Sequence, residues 1–148
     1  LNKTILILSS DSGSSYLNSD GTPLDKISSE MGMLLVEQNT TLIPIEAEEI
    51  TSSKKGSEYR GRTLPLMKVI SKNEKDKLIN VYLNIYSGEV TAIRSMQWKI
   101  WDVMWGFHIM DWQERDNIDN LFLKIFSILA LVSSITGILL FFKIDFKK

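Results

Sequence analysis

Hydrophobic positions along the chain fall into short strand-like runs, two stretches with helical spacing, and one long apolar segment near the C-terminal end. Thr4 to Leu8 is a brief apolar run closed by the Ser/Gly/Asp cluster Ser9 to Ser15, the pattern of a buried strand followed by a turn. Tyr16 and Leu17 begin a second strand that ends at Asp20-Gly21. Thr22-Pro23-Leu24-Asp25 then offers an N-cap, a proline at the first helical position and an acidic residue three after the cap. A helix is predicted from that point, with Leu24, Ile27, Met31, Leu34 and Leu35 on one face, packing on a sheet and stopping near Gln38-Asn39.

Leu42 to Ile50, with Pro44 and three glutamates, reads equally as an edge strand or as a further helical turn. Thr51 to Glu58 is polar and glycine-containing, a loop. Leu64 to Ile70 is largely apolar, and Ser71 to Lys77 is a charged turn. In Leu78 to Tyr86, Ile79, Val81, Leu83 and Ile85 alternate with Asn80, Tyr82, Asn84 and Tyr86, which predicts a hairpin with one apolar face. Tyr86-Ser87-Gly88-Glu89 supplies a glycine able to take a positive φ, and Val90 to Ile93 returns as a third strand. The expected fold class is α+β, a helix packed on an antiparallel sheet.

All four tryptophans lie between Trp98 and Trp112. If Gln97 to Trp112 is helical, Trp98, Trp101, Trp105, His108 and Trp112 share one face, because they follow steps of three and four. A helix so aromatic, just before an apolar segment, is predicted to lie in the headgroup layer, where an indole keeps a wet edge and an apolar body. The competing reading is a core helix under the sheet. Leu121 to Phe142 is 22 residues with one charge, Lys124. At 1.5 Å per residue it covers roughly 33 Å, enough for a hydrocarbon core of roughly 30 Å. It is predicted to be a transmembrane helix. The chain thus divides into an α+β domain at 1–96, an amphipathic interfacial segment at 97–117, a transmembrane helix at 118–142 and a basic tail at 143–148.

Composition narrows the chemistry. With 17 basic and 18 acidic residues in 148, no global positive field exists to hold a nucleic-acid backbone. The absence of cysteine removes disulfides, iron-sulfur clusters and thiolate zinc sites. A lone histidine excludes a multi-histidine zinc site and forces any Ser-His-Asp triad through His108. Charge is uneven: up to Ile118 there are 13 basic and 16 acidic residues, and after it 4 and 2. Lys143, Lys147 and Lys148 beyond the span predict a cytoplasmic C-terminus with the domain on the extracytoplasmic side, although Arg115 and Lys124 on the other flank weaken the bias. A tail-anchored protein with a cytosolic domain is the alternative.

His108 is the one candidate cofactor residue, as an axial haem ligand at the membrane surface. A second ligand would have to come from another segment or subunit, or from Met104 or Met110, so the expectation is a hydrogen-bonded structural histidine and no resident cofactor. Glu46, Glu48 and Glu49 form a solvated face rather than a metal patch. Asp111 and Asp116 do not define a catalytic pair. Gln113 to Asn117 carries charges of both signs, suited to orienting the tryptophan segment against the span through ion pairs and caps. Ser133 and Gly137 have the spacing that lets membrane helices pack closely. Asn2-Lys-Thr and Asn39-Thr-Thr match a glycosylation pattern too common to discriminate.

Taken together, Tyr59-Arg-Gly-Arg-Thr-Leu-Pro-Leu-Met-Lys-Val69, Val81-Tyr-Leu-Asn-Ile-Tyr-Ser-Gly-Glu-Val90, Trp98-Lys-Ile-Trp-Asp-Val-Met-Trp-Gly-Phe-His-Ile-Met-Asp111 and the terminal span with Thr136-Gly137 resemble the membrane-attached PepSY-domain proteins. The resemblance covers Tyr59 to Phe142, and the helix at Thr22 to Val36 corresponds to that domain's first helix. Ile85 stands where the family often has a proline. The resemblance implies an extracytoplasmic domain tied to the membrane, and relatives associated with peptidase inhibition or with iron and haem reduction. Function does not transfer with fold. The expectation is a non-enzymatic binding, regulatory or accessory subunit partnered by other membrane-protein subunits and the lipid bilayer. An electron-transfer subunit using His108, or a purely structural single-span subunit, are the alternatives.

Overall fold

The computed structural model describes residues 5–10 and 13–145. The chain forms two compact units, Leu1–Lys99 and Ile100–Lys148, each taken here by itself. In the first, β1 (Ile5–Ser10) and β2 (Gly13–Asn18) form a two-stranded antiparallel ribbon. After α1 (Ser29–Asn39) come β3 (Ile43–Ile50), β4 (Leu66–Lys72), β5 (Leu78–Asn84) and β6 (Val90–Arg94), a four-stranded antiparallel meander in that spatial order. The fold class is α+β, as the alternation in the β region predicts.

Successive strand residues point to opposite faces, and the two faces of this sheet differ. One face carries Met67, Val69, Val81 and Leu83, which with Ile85 and Val36 of α1 form the larger core. Gly32 of α1 is the reason the helix can sit close: a Cβ there would fall 2.1 Å from Met67 Sδ. The other face carries Leu66, Tyr82 and Ala92, covered by Tyr59 from the loop between β3 and β4. Tyr82 is only 2% exposed. The alternation of Leu78 to Tyr86 is therefore not apolar-in and polar-out at Tyr82, because a loop roofs the second face.

Several local expectations are corrected. The helix does not start at Thr22. Leu24 N–H donates to the Tyr16 carbonyl at 2.9 Å, and Ile27 N–H to the Ile85 carbonyl at 2.8 Å. Those bonds, to β2 and to the turn after β5, hold 22–27 out of helical geometry, and Thr22 instead closes a turn on Asp20. Ser28 is the N-cap, its hydroxyl accepting from Met31 N–H. The helix ends at Asn39, as read from the sequence. The apolar run of β1 is not buried: Leu6, Ile7 and Leu8 are all exposed, because a two-stranded ribbon leaves its faces open. Thr4 lies outside the described residues. Leu42 to Ile50 resolves as the edge strand β3, with a register shift between Pro44 and Glu46 where proline cannot donate to a ladder. Gly88 has φ +72°, as its turn requires.

The second unit holds most of α2 (Met96–His108), a loop, and α3 (Leu121–Asp145); the boundary between the units falls within α2. α2 stops earlier than the tryptophan spacing suggests. Met110 takes φ +57°, Met110 N–H donates to the Phe107 carbonyl, and Asp111 N–H to the Gly106 carbonyl. This is a Schellman ending with methionine where glycine is usual. Trp112 thus lies beyond the helix and does not share its face. α3 begins at Leu121 rather than 118, since Asn120 caps it, Oδ1 accepting from Leu123 N–H at 2.9 Å. Over Leu121–Lys143 it is long and apolar enough to cross a membrane, and none of its most apolar window is buried.

Candidate functional site

The roofed face of the sheet carries a group of paired polar side chains. Glu58, in the loop over that face, has one carboxylate oxygen 2.8 Å from Lys99 Nζ. The other accepts from Asn80 Nδ2 at 2.8 Å and from the Tyr82 hydroxyl at 3.0 Å. Burial pushes this carboxyl up, but the bonds from Lys99, Asn80 and Tyr82 outweigh it and hold it below the ordinary range. Tyr82 is pushed up by its own burial and by the Glu58 charge and hydrogen bond. An ionised acid facing a firmly protonated phenol holds charge in place and has no proton to move near neutral pH. A cavity of about 500 Å³ opens beside it, lined among others by Glu48, Lys54, Lys55, Lys68 and Tyr82. Lys68 pairs with Glu48 across the β3–β4 ladder at 2.7 Å, and Glu49 pairs with Lys26. The acidic cluster is thus partly neutralised by lysines, and no group of three His, Cys, Asp or Glu suited to a metal occurs among the described residues.

Next to Glu58 lies a basic cluster that sequence reasoning passed over. Arg94, opposite Asn80 in the β5–β6 register, donates from Nε to the Glu58 carbonyl at 2.9 Å. Its guanidinium sits 4.1 Å from the centre of the Trp98 ring, and that of Arg60 sits 5.7 Å from the same centre. Burial lowers the Arg94 pKa, and the neighbouring charges of Arg62 and Arg60 lower it further. The signal existed in Arg60-Gly-Arg62, but nothing in the sequence says that β6 brings Arg94 beside it.

In the second unit the polar groups are inside and the aromatics outside. Asp102 is 3% exposed, with Arg115 Nε 2.8 Å from its Oδ2. Gly106 is also buried, and a Cβ there would meet Arg115 Cγ at 2.7 Å and the Asp111 carbonyl at 2.9 Å, so the loop lies on the glycine itself. Asp111 Oδ1 accepts from the N–H groups of Gln113 and Glu114, and Oδ2 from those of Asp116 and Asn117. Partial burial raises its pKa and these four bonds lower it, the bonds prevailing. Asn120 Nδ2 donates to the Ile109 carbonyl at 2.7 Å. The 113–117 connection is therefore an ordered loop built on one carboxylate, which is spent on backbone donors.

Around that polar centre Ile109 is buried, and most of the other large apolar residues are exposed. Trp101 and Trp105 stack, ring centres 5.9 Å apart and 9° from parallel, and His108 follows 5.7 Å from Trp105. Trp101, Trp105 and His108 are exposed, as are Ile100, Met104 and Phe107. Trp98 is half-buried against the arginines. Trp112 packs instead on Phe107 and on Phe122 of α3. Ser133 and Gly137 lie exposed on α3, with open space where a Gly137 Cβ would be. Lys143 lies in α3; Lys147 and Lys148 are outside the described residues. No family model, no curated protein and no solved structure matches this chain.

Proposed function

We propose that this chain is a membrane-anchored, non-enzymatic binding or accessory subunit: α3 spans the bilayer, α2 lies in the headgroup layer, and the PepSY-like α+β domain meets partner proteins on the extracytoplasmic side. The observation that carries the reading is the outward apolar surface of the second unit. Every large apolar residue from Ile125 to Leu131 other than the alanine is about half exposed or more, and the same is true of Ile100, Trp101, Met104 and Phe107 on α2. In water such a surface would cost about 25 cal/mol for every Å², whereas in lipid it costs nothing. Stacked indoles beside a span suit the headgroup region. The chemistry of both units agrees: Glu58 in the first and Asp111 in the second are acids tied to donors, so neither is suited to proton transfer. His108, with its ring on Trp105, acts in this reading as an interfacial side chain and not as a cofactor ligand.

Alkaline extraction of membranes carrying the full chain tests the anchor; the chain is expected in the pellet, and release into the supernatant defeats the reading. Sidedness is tested with Ser52→Cys and Lys148→Cys and a membrane-impermeant thiol reagent on intact cells, where labelling at 52 alone is expected and labelling at 148 alone reverses the topology. A visible spectrum of natively purified wild type beside His108→Ala tests the cofactor; a Soret band lost in the variant would favour an electron-transfer subunit.

A further inference from the structure

We infer that the cavity between the 51–59 loop and the second face of the sheet is a binding site for a small organic carboxylate. It lies within the first unit, so the inference does not depend on the membrane anchor. The strand registers set Glu48, Lys68 and Tyr82 in one row across β3, β4 and β5. The loop that leaves β3 adds Lys54, Ser57 and Tyr59 to the lining. The space is about 500 Å³, in the range of small-molecule pockets.

The charges around this space leave a cation over. Glu58 and Glu49 are neutralised from outside the lining, by Lys99 and Lys26. Lys68 holds Glu48, whose side chain is half exposed and shares its charge with water. The Lys54 ammonium is exposed and has no ion pair or hydrogen bond among the described residues; Lys55 beside it has a partner of its own and is not counted. An ammonium carries three donors, so Lys68 can keep Glu48 and still donate to a second carboxylate. A carboxylate in this space therefore gives Lys54 its missing partner and uses a spare donor of Lys68. The Ser57 hydroxyl, in the same lining, is buried with no hydrogen-bond partner and supplies a third donor. Glu48 and Glu58 line the space too, and they repel a doubly charged phosphate more than a singly charged carboxylate, because repulsion scales with charge. Ile50 and Tyr59 add apolar wall for a short carbon chain.

The test is nuclear magnetic resonance of the full chain in neutral detergent near neutral pH, its lysines carrying isotope-labelled methyl groups, which keep their charge. The chain is titrated with butyrate, with the uncharged butyramide and with inorganic phosphate. Butyrate is expected to shift the Lys54 and Lys68 signals to saturation, butyramide to leave them in place, and phosphate to bind more weakly than butyrate. Lys54→Gln is the decisive variant, because its exposed side chain leaves folding intact, whereas Lys68→Gln also strands Glu48. Butyrate affinity at Lys68 is expected to fall about fivefold in Lys54→Gln, the upper end of what one exposed ion pair contributes. Lys75→Gln, in the turn between β4 and β5 and outside the lining, is expected to leave it unchanged. No saturable shift, an equal response to butyramide, or an equal loss in Lys54→Gln and Lys75→Gln overturns the site. Phosphate binding tighter than butyrate, lost in Lys54→Gln, makes it a general anion site and overturns the carboxylate assignment. Failure of the titration defeats this inference alone, while release of the chain from the alkaline pellet defeats only the anchor.

Discussion

The two units bury opposite things. In the first, Val36, Val69, Val81 and Leu83 are completely buried while lysines and glutamates pair at the surface. In the second, Asp102 and Gly106 are the buried residues of α2 and Ile109 follows them inside, while Trp101, Trp105 and Met104 are exposed, as are most of the described side chains of α3. A water-soluble core is held by removing apolar area from water. An element whose surroundings are lipid gains nothing from that, so its internal contacts are polar and close. The contrast is what the proposed passage of one chain from water into lipid would produce.

The largest expected effect is on the polar centre. Arg115→Met leaves the Asp102 carboxylate buried without its cation, and the local structure of α2 is expected to lose about 3 kcal/mol, toward the low end for a broken buried pair because Arg115 is partly exposed. Hydrogen exchange at the amides of 103–109 measures it; unchanged protection would show that the pair is not what orders the segment. In the first unit, Leu83→Ala is expected to cost roughly 2–5 kcal/mol, read as a lower thermal midpoint of the full chain in detergent. Leu131→Ala, a similar truncation on the outward face of α3, is expected to leave that midpoint in place. Equal losses would erase the contrast.

Glycines sharpen the comparison at a smaller scale. Gly32→Ala forces Met67 to move, costing about 1–3 kcal/mol of overpacking against about 1 kcal/mol of helix propensity regained, so a small net loss is expected in the same melt. Gly137→Ala meets open space in the isolated chain and is expected to be neutral or slightly stabilising there. Weaker association with co-purifying membrane subunits in that variant would show a partner helix at Ser133 and Gly137; unchanged association removes them from any packing face.

The smallest effect is with pH. Glu58 has a folded pKa below its ordinary 4.5, so its contribution is fully present above about that pH and is lost as pH falls through the lower folded value. Near-UV signal from Tyr59 and Tyr82, whose rings lie 5.7 Å apart, is expected to decline over that acid range in wild type and to decline less in Glu58→Gln. A wild-type signal flat to below the folded value would show that Glu58 does not hold the roof.

Much of this was legible because it is local. Period-two alternation marked β5, the apolar run marked α3, and Gly88 marked its turn. The start of α1 was not, because Thr22-Pro23 is a good initiator only if its backbone is free. The carbonyls of Tyr16 and Ile85, distant in sequence, take up Leu24 and Ile27. The end of α2 was hidden by a methionine at the left-handed position, so Trp112 was placed on a face it never reaches.

By itself the sequence determined the fold class, the type of most elements though not of Leu42 to Ile50, and the apolar helix fit to cross a membrane, since each depends on the periodicity of a contiguous segment. Only the tertiary structure decided which polar groups meet. Glu58 with Tyr82, Arg94 with Arg60 at Trp98, and Asp102 with Arg115 are each joined across a sheet register or a loop. Charge pairing acts through space over a few ångströms, and a linear pattern carries no information about which distant residues chain folding brings to that separation.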